Sequence, residues 1–224
     1  MSCKPTLSSS TAGETNQVYE LSTDLCKKYF GGFRCARVGT IGDGSCFYHS
    51  VCFCMNLDDY VNLSTPKKKE LVHKWRKQFA KTFTPTVYAT LLKVFPDTTK
   101  TYEQYLDDFV SSTTWADQIQ IKHVSNELNT NIMFIDMRNN NPYCGMHNNR
   151  VLYSPLNGGN NDINTILIAW VNHEHFEPIV QLKDVSTGHL RTVFKSPEDN
   201  SLIQPLVQNY MTKCKINRKE LSLK

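Results

Sequence analysis

Gly42-Asp43-Gly44-Ser45-Cys46-Phe47-Tyr48-His49-Ser50 is the stretch on which the reading of this chain turns. Gly42 and Gly44 permit backbone angles that a Cβ penalises, so the chain can turn sharply just ahead of Cys46. Val51-Cys52-Phe53-Cys54-Met55 follows without a Gly or Pro, which predicts a helix beginning near the cysteine. A thiol at a helix N-terminus feels the positive end of the macrodipole, and this favours thiolate. The same turn leaves backbone N–H groups without intrahelical partners, donors of the kind that hold a developing oxyanion. One short loop therefore predicts both a nucleophile and the hole that serves it.

A nucleophilic thiol needs a base. Ile166-Leu167-Ile168-Ala169-Trp170-Val171 and Phe176 to Val180 read as two short strands joined by the polar Asn172-His173-Glu174. Residues two apart on a strand share a face, so His175 and Glu177 point one way and Phe176 and Pro178 the other. A carboxylate beside the imidazole fixes its tautomer and stabilises the imidazolium formed when Cys46 gives up its proton. His173 competes for the role of base; His175 is preferred because the aromatic and the acid follow it at strand spacing. His173-Glu174-His175 lacks the His-Glu-x-x-His spacing that sets two imidazoles on one helix face, so no metal site is expected there. Cysteine first and histidine much later is also the order of papain-like thiol proteases.

Three segments together resemble one family. Gly42 to Ser50 resembles the nucleophile loop of the ovarian tumour (OTU) deubiquitinases, an Asp-Gly-x-Cys core followed by an aromatic or aliphatic residue. His175-Phe176-Glu177 resembles that family's histidine motif, in which an aromatic follows the base. Between them, Trp115-Ala116-Asp117, then Ile121, Val124, Leu128 and Asn131-Ile132-Met133-Phe134-Ile135, is similar to the family's Trp-Gly-x helix leading into a buried strand. The matches run in the family's order over roughly residues 34–181, which is far more specific than any one alone. The resemblance implies an α+β, papain-like fold: a small central β-sheet flanked by helices. It also implies hydrolysis of the isopeptide bond between a ubiquitin C-terminus and a lysine, without a cofactor. On that basis Cys46 is the nucleophile, His175 the general base, and Asp43, Gly44 and Cys46 form the oxyanion-hole loop. Trp115 would border the cleft. Two residues after the histidine the family carries Asp or Asn, whereas this chain has Glu177; the longer side chain can reach the ring from a shifted backbone, and Asn172 is the reserve orienter.

Composition is consistent with such a domain. The 224 residues are 40% hydrophobic and 21% charged, with a net charge of +4, enough chain for one substantial core and too little charge for a polyanion footprint. No apolar run approaches the ~20 residues of a membrane span, and Met1 to Gly13 is polar rather than signal-like, so an intracellular, cytoplasmic protein is expected. The eight cysteines contain no Cys-x-x-Cys pair, which argues against zinc and for free thiols in a reducing compartment. His49, His73, His123, His147 and His189 lack a partner motif and read as surface or satisfied core residues.

Along the chain, residues 1–17 are rich in Ser and Thr and read as a disordered tail, residues 18–182 as the catalytic domain, and residues 183–224 as an extension. Val18 to Phe30 suggests a helix stopped by Gly31-Gly32, and Phe33 to Val38 alternates like a strand. Thr65-Pro66 and Thr84-Pro85 each read as a cap with proline at the first helical position. Asn139 to Pro142 and Asn157 to Asn161 read as turns, and Ser196-Pro197 with Leu202, Leu206 and Tyr210 as a terminal helix to about Thr212. The helix from Pro66 carries Lys67, Lys68, Lys69, Lys74, Arg76, Lys77 and Lys81 opposite Leu71, Val72, Trp75 and Phe79. This is read first as a solvated face; nucleic-acid binding, or a share in a ubiquitin-binding surface, are the alternatives.

The functional expectation is a monomeric cysteine isopeptidase acting on ubiquitin, polyubiquitin or a ubiquitin-like modifier. A silent module that binds ubiquitin through the same fold is the alternative, since fold does not fix function. A domain of this size standing nearly alone suits a virus or intracellular pathogen working in host cytosol.

Overall fold

The computed structural model describes residues 3–4, 11–137, 152–153, 163–172, 174–184, 189–195 and 201–206. Nine strands make one mixed sheet among these residues: β1 (Cys3–Lys4), β2 (Val18–Glu20), β3 (Cys35–Val38), β4 (Thr130–Asp136), β5 (Leu152–Tyr153), β6 (Asn164–Val171), β7 (His175–Asp184), β8 (His189–Arg191) and β9 (Phe194–Lys195). Their order is β1-β2-β3-β7-β6-β4-β5, with β8 added to β7 and β9 to β6. β6 and β7 form the antiparallel pair expected around Asn172, which sits at φ 50° in the turn. β3 joins β7 antiparallel on its other edge, setting Arg37 opposite Ile179.

Helices cover both faces. α2 (Cys46–Met55), α4 (Thr65–Thr82), α6 (Tyr102–Val110) and α7 (Gln118–Glu127) pack over Ile166, Ile168, Phe176 and Val180. On the opposite face α1 (Thr23–Tyr29) and helical residues 201–206 bury Leu25, Leu202 and Leu206 against Leu167, Ala169 and Val171. Adjacent β6 residues thus feed different cores, the pattern of a strand covered on both sides. Every residue of α2 from Cys46 to Cys54 is buried, as expected of a helix apolar nearly all round. α3 (Leu57–Asn62) and α5 (Pro85–Val94) complete the helical layer.

Several local expectations change. Val18 to Phe30 is not one helix: Val18, Tyr19 and Glu20 pair with β3, and Ser22 Oγ accepts the Leu25 N–H at 3.3 Å to start α1. Pairing partners far along the chain outweigh helical propensity there. Gly31 and Gly32, at φ 61° and 83°, end this segment in the left-handed region as predicted. The cap of α4 is Ser64, with Thr65 already helical, whereas Thr84 caps α5 through the Val87 N–H. α6 went unread despite the Thr101/Gln104 capping box that opens it.

Residues 11–17, assigned by composition to a tail, run along the β3–α2 connection. Asn16 N–H donates to Gly39 O at 2.8 Å and Gly39 N–H to Gln17 O at 3.0 Å. Backbone bonds hold this stretch, and composition does not register them. Both Asn-rich turns, and the expected terminal helix apart from residues 201–206, lie outside the described residues.

Candidate active site

β3 ends at Val38, and seven residues separate it from α2, which begins at Cys46. Asp43 organises that connection: its Oδ1 accepts the Ser45 N–H at 2.9 Å and its carbonyl the Cys46 N–H at 3.2 Å. Gly44 is required for space rather than for an unusual φ, since a Cβ there would lie 2.2 Å from the Thr113 backbone. The sharp turn expected of Gly42 and Gly44 uses no left-handed backbone; among the described residues the positive-φ glycines are Gly31 and Gly32. Of the amides from Asp43 to Cys46, those of Asp43, Ser45 and Cys46 are hydrogen-bonded within the loop, and Gly44 N–H has no acceptor among the described residues.

Cys46 is 2% exposed. Burial pushes its thiol up to about 11, against the opposing pull of the Phe176 and Phe47 N–H groups. Desolvation of a buried anion thus opposes the helix end that favours thiolate. The Phe176 amide beside the sulfur belongs to the residue that follows His175, so the predicted nucleophile and base sit on two elements that pack together, α2 and β7. The single Ser50 hydroxyl proton is shared between two carbonyl acceptors, Cys46 O at 2.9 Å and Phe176 O at 3.0 Å. Phe176 also packs edge-on against Phe47, with ring centroids 6.1 Å apart.

His175 and Glu177 share a strand face, as their spacing predicts, with His175 Nε2 3.7 Å from Glu177 Oε1. Glu177 is fully buried. Its other oxygen accepts from Arg37 Nη1 at 2.8 Å, and Oε1 accepts the Gly13 N–H at 2.5 Å. Arg37, itself buried, donates further to Thr11 O at 2.7 Å. Thr40 Oγ1 lies 3.3 Å from His175 Nε2 and donates to Phe176 O at 2.7 Å. Burial lowers the His175 imidazole below its ordinary value, opposed by the Glu177 carboxylate. Asn172 is exposed at the hairpin turn, and His173 lies outside the described residues.

Asp43 is tied to a second histidine. Its Oδ1 lies 3.5 Å from His49 Nε2, and His49 Nδ1 is 2.7 Å from the Tyr60 hydroxyl. Burial alone would raise the Asp43 carboxyl, but His49, the Ser45 N–H and Lys69 together hold it below its usual value. A cavity of about 190 Å³ opens beside it, walled by Lys69, His73, Arg76 and Thr113.

Arg76 corrects the reading of α4. It and Lys68 are fully buried, so the basic face is not uniformly solvated. Arg76 stacks 4.4 Å over the Tyr48 ring and donates to Ser45 Oγ (2.8 Å), Gly44 O (3.3 Å), Phe109 O (2.9 Å) and Thr114 O (3.1 Å). One guanidinium therefore pins the Cys46 loop to the end of α6 and to the segment before Trp115. Trp115 itself is 49% exposed. From sequence, Thr40 and Arg37 have no role, Arg76 counts only as part of a basic face, and His49 only as a surface or satisfied core residue. Nothing local distinguishes Arg76 from its six basic neighbours, and Thr40 has no motif around it.

Residues 41–176 match the family model described as OTU-like cysteine protease. No curated protein sequence matches the chain. Among solved structures, an ovarian tumour (OTU) domain in complex with ubiquitin aligns with TM-score 0.53 at 16% identity, covering 85% of this chain and 95% of that one. The Hazara virus OTU bound to ubiquitin aligns with TM-score 0.42 at 19% identity over 78% of this chain and 94% of that one. The Taggert virus OTU protease gives 0.41 at 13% identity, over 70% and 92% respectively. The first alignment carries the shared fold.

Proposed function

The chain belongs to the OTU-like cysteine protease family, and from that premise we propose that it is a deubiquitinase, cleaving ubiquitin or a ubiquitin-like modifier from lysine. The observation that carries the chemistry is the packing of α2 against β7. It brings the Cys46 sulfur to the N–H of Phe176, the residue that follows His175, whose ring is flanked by buried Glu177. Ubiquitin as substrate is supported by the family and by the ubiquitin bound to a structure of the same fold.

In this reading Cys46 Sγ attacks the carbonyl carbon of the modifier's terminal glycine while His175 takes the thiol proton. A buried thiol near 11 and a depressed imidazole make the resting pair neutral, so proton transfer accompanies attack rather than preceding it. The oxyanion meets the Gly44 N–H first; the Cys46 N–H joins it by exchanging its 3.2 Å bond to Asp43 O for the stronger charged acceptor. His175 then protonates the departing lysine amine, leaving a thioester on Cys46. Water, deprotonated by His175, hydrolyses that thioester and restores the thiol. Glu177 offsets the imidazolium charge at both stages, and exposed Trp115 borders the channel for the modifier's tail.

The test is incubation with ubiquitin bearing a C-terminal electrophile, for wild type, Cys46→Ala and His175→Ala. A covalent adduct lost in Cys46→Ala supports the proposal. No adduct from folded wild type, with ubiquitin or with ubiquitin-like probes, would replace it by a binding module.

A further inference from the structure

We propose that Thr40 is the positioning residue that sets the tautomer of His175, a role expected of the acidic residue two positions after the histidine. The inference rests on Cys46 and His175 acting as nucleophile and base.

The argument begins with which groups can donate. Thr40 is 4% exposed, so its single hydroxyl proton goes to a protein acceptor. Phe176 O, at 2.7 Å, can only accept, and the hydroxyl is therefore the donor in that bond. With its proton so committed, Thr40 Oγ1 can only accept from His175 Nε2, 3.3 Å away. Nε2 then carries the ring hydrogen, and Nδ1 keeps the lone pair that removes a proton from Cys46. Glu177 cannot do the same directly. Its Oε1 stands 3.7 Å from Nε2, beyond hydrogen-bond reach, and its two oxygens are taken by Arg37 and Gly13. Glu177 therefore acts on the ring through charge, and Thr40 through a hydrogen bond.

The relay runs from Nε2–H to the Thr40 hydroxyl to the carbonyl of the residue after the histidine, so the ring is tethered to its own strand. Thr40 also lies on the connection that delivers Cys46, and its carbonyl accepts from Thr15 Oγ1 at 3.4 Å. Nucleophile and base are thereby aligned by one segment. When Cys46 Sγ–H passes its proton to Nδ1, the Nε2–H stays on Thr40, and the new positive charge faces Glu177 without any rearrangement.

The test uses the full chain, with Thr40→Val to remove the hydroxyl at constant shape and Thr40→Ser to retain it. Nitrogen NMR of His175 at neutral pH reads the tautomer directly. The Nε2–H form is expected in wild type and Thr40→Ser, and a mixture in Thr40→Val. Hydrolysis of a ubiquitin–fluorophore conjugate should lose about 10- to 100-fold in kcat with KM little changed in Thr40→Val, and recover with Thr40→Ser. A wild-type ring protonated on Nδ1 overturns the proposal even if no variant folds. So does a Thr40→Val protein that keeps the wild-type tautomer, or a Thr40→Ser protein as impaired as Thr40→Val. Should wild type not cleave ubiquitin at all, the substrate reading fails while the NMR arm still decides the role of Thr40.

Discussion

Single residues around the nucleophile are constrained by space and by hydrogen-bond arithmetic more than by charge. Gly44 packs against the Thr113 backbone, so Gly44→Ala must displace one of the two segments. We expect a loss of about 1–3 kcal/mol in urea unfolding, as for overpacking elsewhere, together with at least a tenfold lower kcat. Arg76 satisfies acceptors on three segments, and each acceptor orphaned in a dry site costs ~1–3 kcal/mol. Arg76→Met should therefore destabilise the fold by about 3 kcal/mol or more. Arg76→Lys should rescue little, since one ammonium cannot span the positions that a planar fork reaches; equal unfolding midpoints for wild type and Arg76→Lys would count against this account. His175 and Cys46 were legible as residues from their motifs. Arg76 was legible only as a basic residue, because the acceptors that define it lie at positions 44, 45, 108, 109 and 114.

At the scale of elements, the segment at residues 11–17 is the one whose role changes most. Gly13 N–H binds Glu177, Thr11 O binds Arg37, and Asn16 Oδ1 accepts from Lys68 Nζ at 2.6 Å. A chain starting at residue 15 keeps β2 and every helix but loses the first two bonds. It should remain folded by circular dichroism while kcat drops by about tenfold, the order seen when outer partners of a catalytic group are removed. Unchanged kcat in that truncation would show that Glu177 is held by Arg37 alone. The strands and helices with strong local signals, β3, β6, β7, α2 and α5, could be read from alternation, proline and caps. β2 could not, because a three-residue strand exists only through its pairing with β1 and β3.

For the whole molecule, burial of the catalytic pair sets the pH response. With His175 as the proposed neutral base, activity should be full above its folded-state pKa and fall as pH drops through it. Burial places that pKa below the ordinary 6.5, and kcat/KM should therefore reach half its plateau below pH 6.5. Glu177→Gln removes a group that raises the imidazole pKa, which should carry the acid limb lower still. On the alkaline side, iodoacetamide alkylation of Cys46 should keep rising toward pH of about 11; a plateau reached by neutral pH would instead indicate a resting thiolate–imidazolium pair. From sequence alone came the papain-like α+β class, the nucleophile loop, the histidine strand and the shared face of His175 and Glu177. The loop, the strand and the shared face are local properties, written in motif spacing and in the period-2 alternation of a strand, and the papain-like class came through the family resemblance that those motifs carry. Only the tertiary structure decided that Cys46 is buried, that Arg76 clamps its loop, and that Thr40 stands closer to the ring than Glu177 does. Those outcomes depend on desolvation and on hydrogen-bond partners brought together from distant positions, quantities that no short window of sequence contains.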